Sequence, residues 1–407
     1  MKNIYWIFLV FLILAGCEEE PEKQLKIGEW WANLAVSDNE ILPFNFTLTK
    51  SDSATYVIEI RNSDEVVPID EIEIFNDSII IKMPVFEGYI AGIYTENTIK
   101  GSFIKESLDR IVPFNALHGE RPRFKIASEP QLNISGIWEA EFNNQTDSSY
   151  IAKGIFYQNE DIVTGTIRTT TGDYRYLEGV VDGTQLKLST FDGAHAFLFT
   201  AAATDSVLSG VFYSGNHSVE NFVAKRNDAY ELPDANTLTF LNEGYEKFDF
   251  SFPNADGKQV SLSDKEYKDK AVLVQIMGTW CPNCLDETKF YVDYLEQNPN
   301  PDLKMVALAF EYARTEEKAF EGIQRLKDRV GFDYPVLLAQ IGTSSKTKAN
   351  EKLPMLNHVL SYPTTIYINK KGEVKKIHTG FNGPATGEKY EEFKIDFDKT
   401  IKELLSE

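Results

Sequence analysis

The chain has 407 residues, 43% apolar and 13% aromatic, which exceeds one ordinary core and is enough to fill two or three domains. Forty-one Lys and Arg against 62 Asp and Glu leave a formal charge of −21, and no block of basic residues stands out. The apolar and aromatic content argues against disorder, and the charge argues against an electrostatic grip on phosphates, so nucleic acid is not an expected partner.

The chain opens "MKNIYWIFLVFLILAGC": one Lys, an apolar run from Ile4 to Ala15, and small residues directly before Cys17. A run of this length is a secretory signal, too short to span a bilayer comfortably. Its end, Leu14-Ala15-Gly16-Cys17, resembles a bacterial lipobox, which implies a signal peptide over 1–17 and a diacylglycerol on the Cys17 thiol. Acyl chains contribute about 0.8 kcal/mol per buried CH₂, so the expectation is a lipid-anchored protein of the cell envelope, facing the periplasm or exposed at the outer-membrane surface. Residues 18–26 follow as an acidic tether, whose glutamates resemble surface-export signals of Bacteroidetes lipoproteins. With Cys17 acylated, Cys281 and Cys284 are the remaining thiols in an oxidising compartment.

From about Ile27 to Lys225 short β-type runs such as "ATYVIEIR", "SIIIKM", "QLKLST" and "HAFLFTAA" are broken by Asn, Asp and Gly. Hairpin-length gaps predict antiparallel pairing throughout. The segment reads as a duplication. "GEWWA" at Gly28 returns as "GIWEA" at Gly136, "NDSIIIKM" as "VDGTQLKLS", Gly88 as Gly193, and "IKGSF" as "LSGVF", all at offsets of 105 to 109. We therefore expect β repeats at 27–118 and 135–225, joined by a linker over 119–134 and followed by another over 226–244, forming two small sheets or one barrel. The Gly-x-Trp starts resemble those of lipocalin-type barrels.

Beyond residue 245 apolar strands alternate with helical stretches. "AVLVQIMG" and "LKMVALAFE" read as buried strands, and "YPVLLA" as a shorter one. "CLDETKFYVDYLEQN", "EEKAFEGIQRLKDRVG", "KANEKLPMLNHVL" and "YEEFKIDFDKTIKELLSE" read as helices, and "TTIYINKKGEVKKIHTG" as a hairpin. This order predicts a thioredoxin-like α/β sandwich over 245–407.

"GTWCPNC" falls where a strand hands over to a helix. A helix N-terminus carries roughly half a positive charge and stabilises a thiolate, which makes Cys281 the expected nucleophile and Cys284, nearly one turn on, the resolving thiol. Pro282 suits the first turn, where a missing N–H costs nothing. A zinc site needs about four ligands, and the five His residues, His118, His195, His217, His358 and His378, form no HxxxH-type spacing, so no metal is expected.

Residues 245–407 resemble the TlpA/ResA class of membrane-tethered thiol–disulfide oxidoreductases within the AhpC/TSA and thioredoxin-like superfamily. The resemblance rests on "FDFSFPNADGKQVSLSDKEYKDKAVLVQIMGTWCPNC", "SYPTTIYINKKGEV" and "HTGFNGPATGEKYEEF", and covers about 160 of 407 residues. It implies that Pro363 is a cis-proline, that Tyr362 offers its backbone to substrate, and that Trp280 and Pro282 also contact it. Gln275 occupies the place where thioredoxin carries a buried Asp, and Gln cannot take a proton. The resemblance offers Glu311 as the acid/base instead; Glu287 also matches a family Glu, though a solvated first-turn carboxylate explains it equally well. No cofactor is implied beyond a redox-active Cys281–Cys284 disulfide. The implied partners are envelope protein thiols and disulfides, with a membrane-embedded electron donor, and the expected direction is that of a reductase.

Two other readings compete. A peroxiredoxin would need a Pro-x-x-x-Thr-x-x-Cys pattern that "GTWCPNC" lacks. Alternatively the β region is a ligand- or partner-binding module, with Trp30, Trp31, Phe44, Phe46, Trp138, Phe156 and Phe212 lining a cavity or filling a core. Otherwise the β region is expected to hold the redox site away from the membrane or to present clients.

Overall fold

The computed structural model describes residues 24–52, 55–144 and 146–407, so the signal peptide, Cys17 and most of the acidic tether lie outside the described residues. The duplicated region forms two antiparallel, barrel-like sheets. In the first, nine strands from Gly28–Ala35 to Arg110–His118 stand in spatial order fourth, third, second, first, ninth, eighth, seventh, sixth, fifth. Its fourth and fifth strands, Glu65–Ile69 and Glu71–Phe75, leave the ring open at Asp70. The second sheet, from Gly136–Phe142 to Ser218–Arg226, closes, because Ile162–Thr169 pairs with both Tyr150–Asn159 and Leu177–Asp182.

Matched details run through both copies. The Trp30 indole N–H donates to the Lys26 carbonyl at 2.9 Å, and that of Trp138 to the Ile134 carbonyl at 2.8 Å, the same four-residue reach back. Gly101 and Gly210 face a neighbouring strand so closely that a Cβ would lie 2.0 Å from the Ala91 oxygen and 2.1 Å from the Thr200 oxygen. Only glycine fits either place.

Alternation along the strands sends Trp138, Phe142, Phe156, Phe199 and Phe222 into the second barrel, where Phe142 stacks on Phe222 and Phe199 meets both edge-on. The remaining space inside is about 10 Å³ and lined by apolar groups. That is too little for a water with polar partners, so this barrel is a filled core and holds no ligand in its lumen. Trp30, Phe44 and Phe46 are likewise buried in the first barrel, whereas Trp31 is half-buried and donates its N–H to the Arg123 carbonyl at 3.1 Å.

The C-terminal sheet runs Val336–Gln340, Leu303–Phe310, Ala271–Met277, Thr364–Ile368, Val374–Thr379, the first three parallel and the last two antiparallel. Along its central strand Ala271 and Leu273 meet helices Pro282–Gln297 and Glu388–Ser406, while Val272, Val274 and Ile276 face the side of helix Glu316–Val330. This is a thioredoxin-like fold. One expected element is shorter than its pattern: the helix predicted through "KANEKLPMLNHVL" spans Lys346–Lys352 only. Pro354 supplies no N–H and disfavours helical backbone before it, and Leu353 has already left the helix at φ −128°, ψ 61°.

The β region packs directly on the thioredoxin-like domain. Arg325 and Arg329 of helix Glu316–Val330 grip Asp70 and Glu71 where the first barrel is open, with Arg325 Nη2 to Glu71 Oε1 at 2.8 Å and Arg329 Nη2 to Asp70 Oδ1 at 2.7 Å. The expected polar linker over 119–134 is pinned as well, its Arg123 buried between the barrels on the Ser189 hydroxyl, the Arg61 carbonyl and Glu178. Arg175, just after the short fourth strand of the second barrel, goes furthest. Its buried guanidinium meets Glu65 of the first barrel, Asp192 of the second at 3.4 Å, Asp286 of the active-site helix at 2.9 Å and the Pro282 carbonyl at 3.2 Å. Removing it strands three buried carboxyl groups, so Arg175→Met should lower stability by about 3–5 kcal/mol in denaturant unfolding. An unfolding midpoint equal to wild type would mean that the three units are held together by other contacts.

Candidate active site

Cys281 is the N-cap of helix Pro282–Gln297, with φ −99° and ψ 114°, and Pro282 takes the first helical position. The Cys284 amide donates to Cys281 Sγ at 3.2 Å, and the Cys281 thiol donates to the Tyr362 carbonyl at 3.3 Å. Cys281 is 6% exposed and Cys284 wholly buried. Burial pushes the Cys284 thiol well above the ordinary thiol range, helped by the neighbouring Cys281 and by Glu287. The Tyr362–Pro363 peptide bond is cis.

Trp280 stands beside the pair, half-buried, its indole N–H on the Phe310 carbonyl at 2.9 Å and its ring against Tyr312 and Tyr362. Gly278 makes that pose possible: a Cβ there would lie 2.3 Å from Trp280 Nε1.

Two buried carboxyl groups flank the site. Glu311, at the end of strand Leu303–Phe310, accepts from the Thr279 amide and hydroxyl, both at 2.8 Å, and burial raises its pKa to about 7 against those bonds. Glu287 is also wholly buried, which rules out the solvated first-turn carboxylate that its position allowed. The helix turns it inward beneath Cys284, where it accepts from Gln275 Nε2 at 2.8 Å, the Tyr291 hydroxyl at 2.9 Å and the Thr365 hydroxyl at 3.1 Å. Burial raises its pKa to about 7 despite these donors. Gln275, which cannot take a proton itself, holds this carboxyl in place. Glu287 acts on the electrostatics of Cys284, and Glu311 on those of Tyr312 and Tyr362, so the carboxyls approach the dithiol from different sides.

The fold thus brings Trp280, Cys281, Pro282, Cys284, Glu311, Tyr362 and Pro363 together, while Cys17 lies outside the described residues. It adds what the sequence alone did not suggest. The turn Thr171–Gly172–Asp173 of the second barrel lies on the active-site face: the Ser361 hydroxyl donates to the Thr171 carbonyl at 2.6 Å, Asn283 Nδ2 to the Asp173 carbonyl at 3.0 Å, and the Gly383 amide to Asp173 Oδ2 at 2.6 Å. A Cβ on Gly172 would lie 2.5 Å from Asn283 Nδ2. In the sequence this is one polar turn among many, and its partner is more than 100 residues away.

The C-terminal part of the chain is similar to known proteins. Residues 242–392 match the Redoxin family model. Thioredoxin-like protein YneN of Bacillus subtilis is 29% identical over 158 residues, 39% of this chain and 81% of the relative. Thiol-disulfide oxidoreductase ResA of Halalkalibacterium halodurans is 29% identical over 146 residues, 34% of this chain and 68% of the relative. A solved thiol-disulfide oxidoreductase from Bacteroides fragilis superposes with a TM-score of 0.27 at 20% identity, covering 37% of this chain and 99% of that one. The protein is a thiol–disulfide oxidoreductase with a thioredoxin-like domain. That domain is of the TlpA/ResA type.

Glu287 and Glu311 titrate near 7 in the folded chain and near the ordinary 4.5 when unfolded. The native state therefore binds more protons across that window, and stability falls as pH rises from about 4.5 to about 7, by about 3 kcal/mol for each group. Glu287→Gln and Glu311→Gln should each flatten the pH dependence of the urea midpoint over this range. The same slope in both variants would place the titration on other groups.

Proposed function

We infer that the protein exchanges its Cys281–Cys284 dithiol with thiols and disulfides of the cell envelope, as a reductase held to a membrane by lipid on Cys17. The observation that carries this is the Cys281 sulfur at a helix N-terminus, bonded to the Cys284 amide and opening on a cavity shared with Trp280 and Tyr362. Cys281 attacks a substrate disulfide and forms a mixed disulfide. Cys284, one turn below, then attacks Cys281 Sγ and releases the substrate as thiols. Glu287 is the group best disposed to receive the Cys284 proton, and Glu311 serves the outer side of the site.

Two features favour the reducing direction. Burial keeps Cys284 as a neutral thiol, and Cys281 Sγ receives a single amide hydrogen bond. Strongly oxidising pairs instead owe their potential to a stabilised reduced form. An electron donor in the membrane completes the cycle, and the tether over 18–26 gives the anchored protein reach.

Equilibration with dithiothreitol and thiol trapping should give a reduction potential near or below about −270 mV; a value near about −120 mV would make the protein an oxidant. Cys284→Ser should accumulate a mixed disulfide on Cys281, and Cys281→Ser should form none. If neither cysteine can be cycled, the enzyme reading fails. In a bacterial host, Cys17→Ser should abolish incorporation of labelled palmitate; labelling that persists would exclude Cys17 as the acylated residue.

A further inference from the structure

Cys281 opens on a cavity of about 360 Å³ whose walls come from all three units. The thioredoxin-like domain supplies Trp280, Pro282, Tyr312 and Tyr362; the second barrel supplies the Gly172 turn, Tyr174 and Phe197; the first barrel supplies Lys105 and Arg110. Resting on the dithiol exchange argued above, we propose that this cavity is the substrate site, and that it takes a small disulfide bearing carboxylates and excludes disulfides embedded in folded proteins.

Exclusion follows from what covers the site. An incoming protein segment would need the strip around Ser361, Tyr362 and Gly380, and that strip is occupied. Ser361 is bonded to the Thr171 carbonyl, and a Cβ on Gly380 would lie 2.8 Å from the Thr171 carbonyl carbon. Asn283 is tied to the same turn, and the Arg175 ion pairs hold the barrels down beside it. A folded partner cannot reach Cys281 without lifting the second barrel off the domain.

Charge preference follows from the lining. Lys105 donates to the Ala194 carbonyl, and burial lowers its pKa to about 8 against the pull of Asp192 and Glu87; among the described residues no carboxylate lies within ion-pair distance of Lys105 or Arg110. Asp173 also lines the cavity, but its carboxylate oxygens are taken by the Arg175 and Gly383 amides, and burial raises its pKa. His195 is paired with Asp192, and His217, its pKa lowered to about 4 by burial and by Arg110 and Lys105, is neutral at pH 7. Two cations therefore face the cavity in a chain whose net charge is −21. Apolar walls strengthen their field.

The reaction balances within the protein. The Cys281 thiolate attacks one sulfur of R–S–S–R, the substrate S–S bond breaks, and one R–S⁻ leaves. The Cys284 thiolate attacks Cys281 Sγ, the internal disulfide forms, and the second R–S⁻ leaves. Two electrons pass from the dithiol to the substrate, and the two thiol protons end on the products. The next turnover draws on a dithiol donor.

The test uses the reduced full-length mature chain in single turnover, free of other reductants. Dithiodipropionate, hydroxyethyl disulfide and cystamine offer an anionic, a neutral and a cationic disulfide of similar size. Because their intrinsic reactivities differ, the quantity read is the anion-to-cation ratio of rate constants, compared between proteins. Lys105→Gln with Arg110→Gln should lower that ratio by about tenfold or more, and the charge-keeping pair Lys105→Arg with Arg110→Lys should hold it within about threefold of wild type. In wild type alone, insulin disulfides should react at least about a hundredfold more slowly than dithiodipropionate. The disulfide dimer of a blocked Glu-Cys-Glu peptide separates the two sources of such a group: reaction on a par with dithiodipropionate assigns the mobile acidic segment of a protein, and much slower reaction assigns a free small molecule. A ratio that is the same with and without the two cations, or insulin reduced as fast as the anion, overturns the proposal while leaving dithiol exchange intact. Failure of every probe to oxidise the pair would overturn both.

Discussion

The arrangement of the molecule depends on the buried guanidinium of Arg175. A cation out of water is tolerated only where several anions or carbonyls meet it, and Glu65, Asp192 and Asp286 do so from three separate parts of the chain. His195 and Arg175 hold Asp192 below the usual carboxylate range despite its burial, whereas burial raises Asp286 to about 6 against the pull of Arg175. Because an unpaired carboxylate in that place is so costly, the contact specifies one relative placement of the barrels and the redox helix. Through the Pro282 carbonyl and Asp286 it reaches the CxxC and the residue two places beyond it, so the placement of the barrels and the shape of the active-site mouth are set by the same group.

Beneath the dithiol a different economy operates. A carboxyl below the resolving cysteine has to be buried to have a pKa near 7, and it has to be hydrogen-bonded to be tolerated there. Gln275, Tyr291 and Thr365 provide those bonds to Glu287. Gln275 is a suitable donor because it brings no charge of its own; an acid in its place would set two buried carboxyls side by side and force one to stay protonated. Substituting Gln for an acid on the strand and seating Glu on the helix are thus two halves of one arrangement.

Much of this was legible in the sequence, and the part that was not has a common cause. The thioredoxin-like domain announces itself through local signals: an apolar strand running into Cys-Pro-Asn-Cys, Pro363 before a second strand, and a helical period to the end. The duplication was legible through Gly28 and Gly136, which hold φ of 116° and 122°, and through Gly101 and Gly210, where a neighbouring strand carbonyl leaves no room for a Cβ. What stayed hidden depends on contacts between distant segments. Glu287 reads as polar on the helix surface until the sheet that covers it is known, Arg175 reads as one charge in a polar turn, and helix Lys346–Lys352 looked longer because apolar residues beyond Pro354 keep a helical spacing without helical backbone.

The two barrels also show how a duplicated fold acquires unequal duties. The second closes on its own ladder and fills with aromatic rings, which leaves its lumen no room and puts its usable surface outside. The first stays open at Asp70, and the exposed corner is the place that Arg325 and Arg329 hold. An open ring needs a partner, and the thioredoxin-like helix supplies it; a closed ring needs none, and is free to present the Gly172 turn to the active site. The failure of one copy to close and the reach of the other toward Cys281 are therefore complementary, since anchoring through the first barrel sets the second where its turn meets the CxxC.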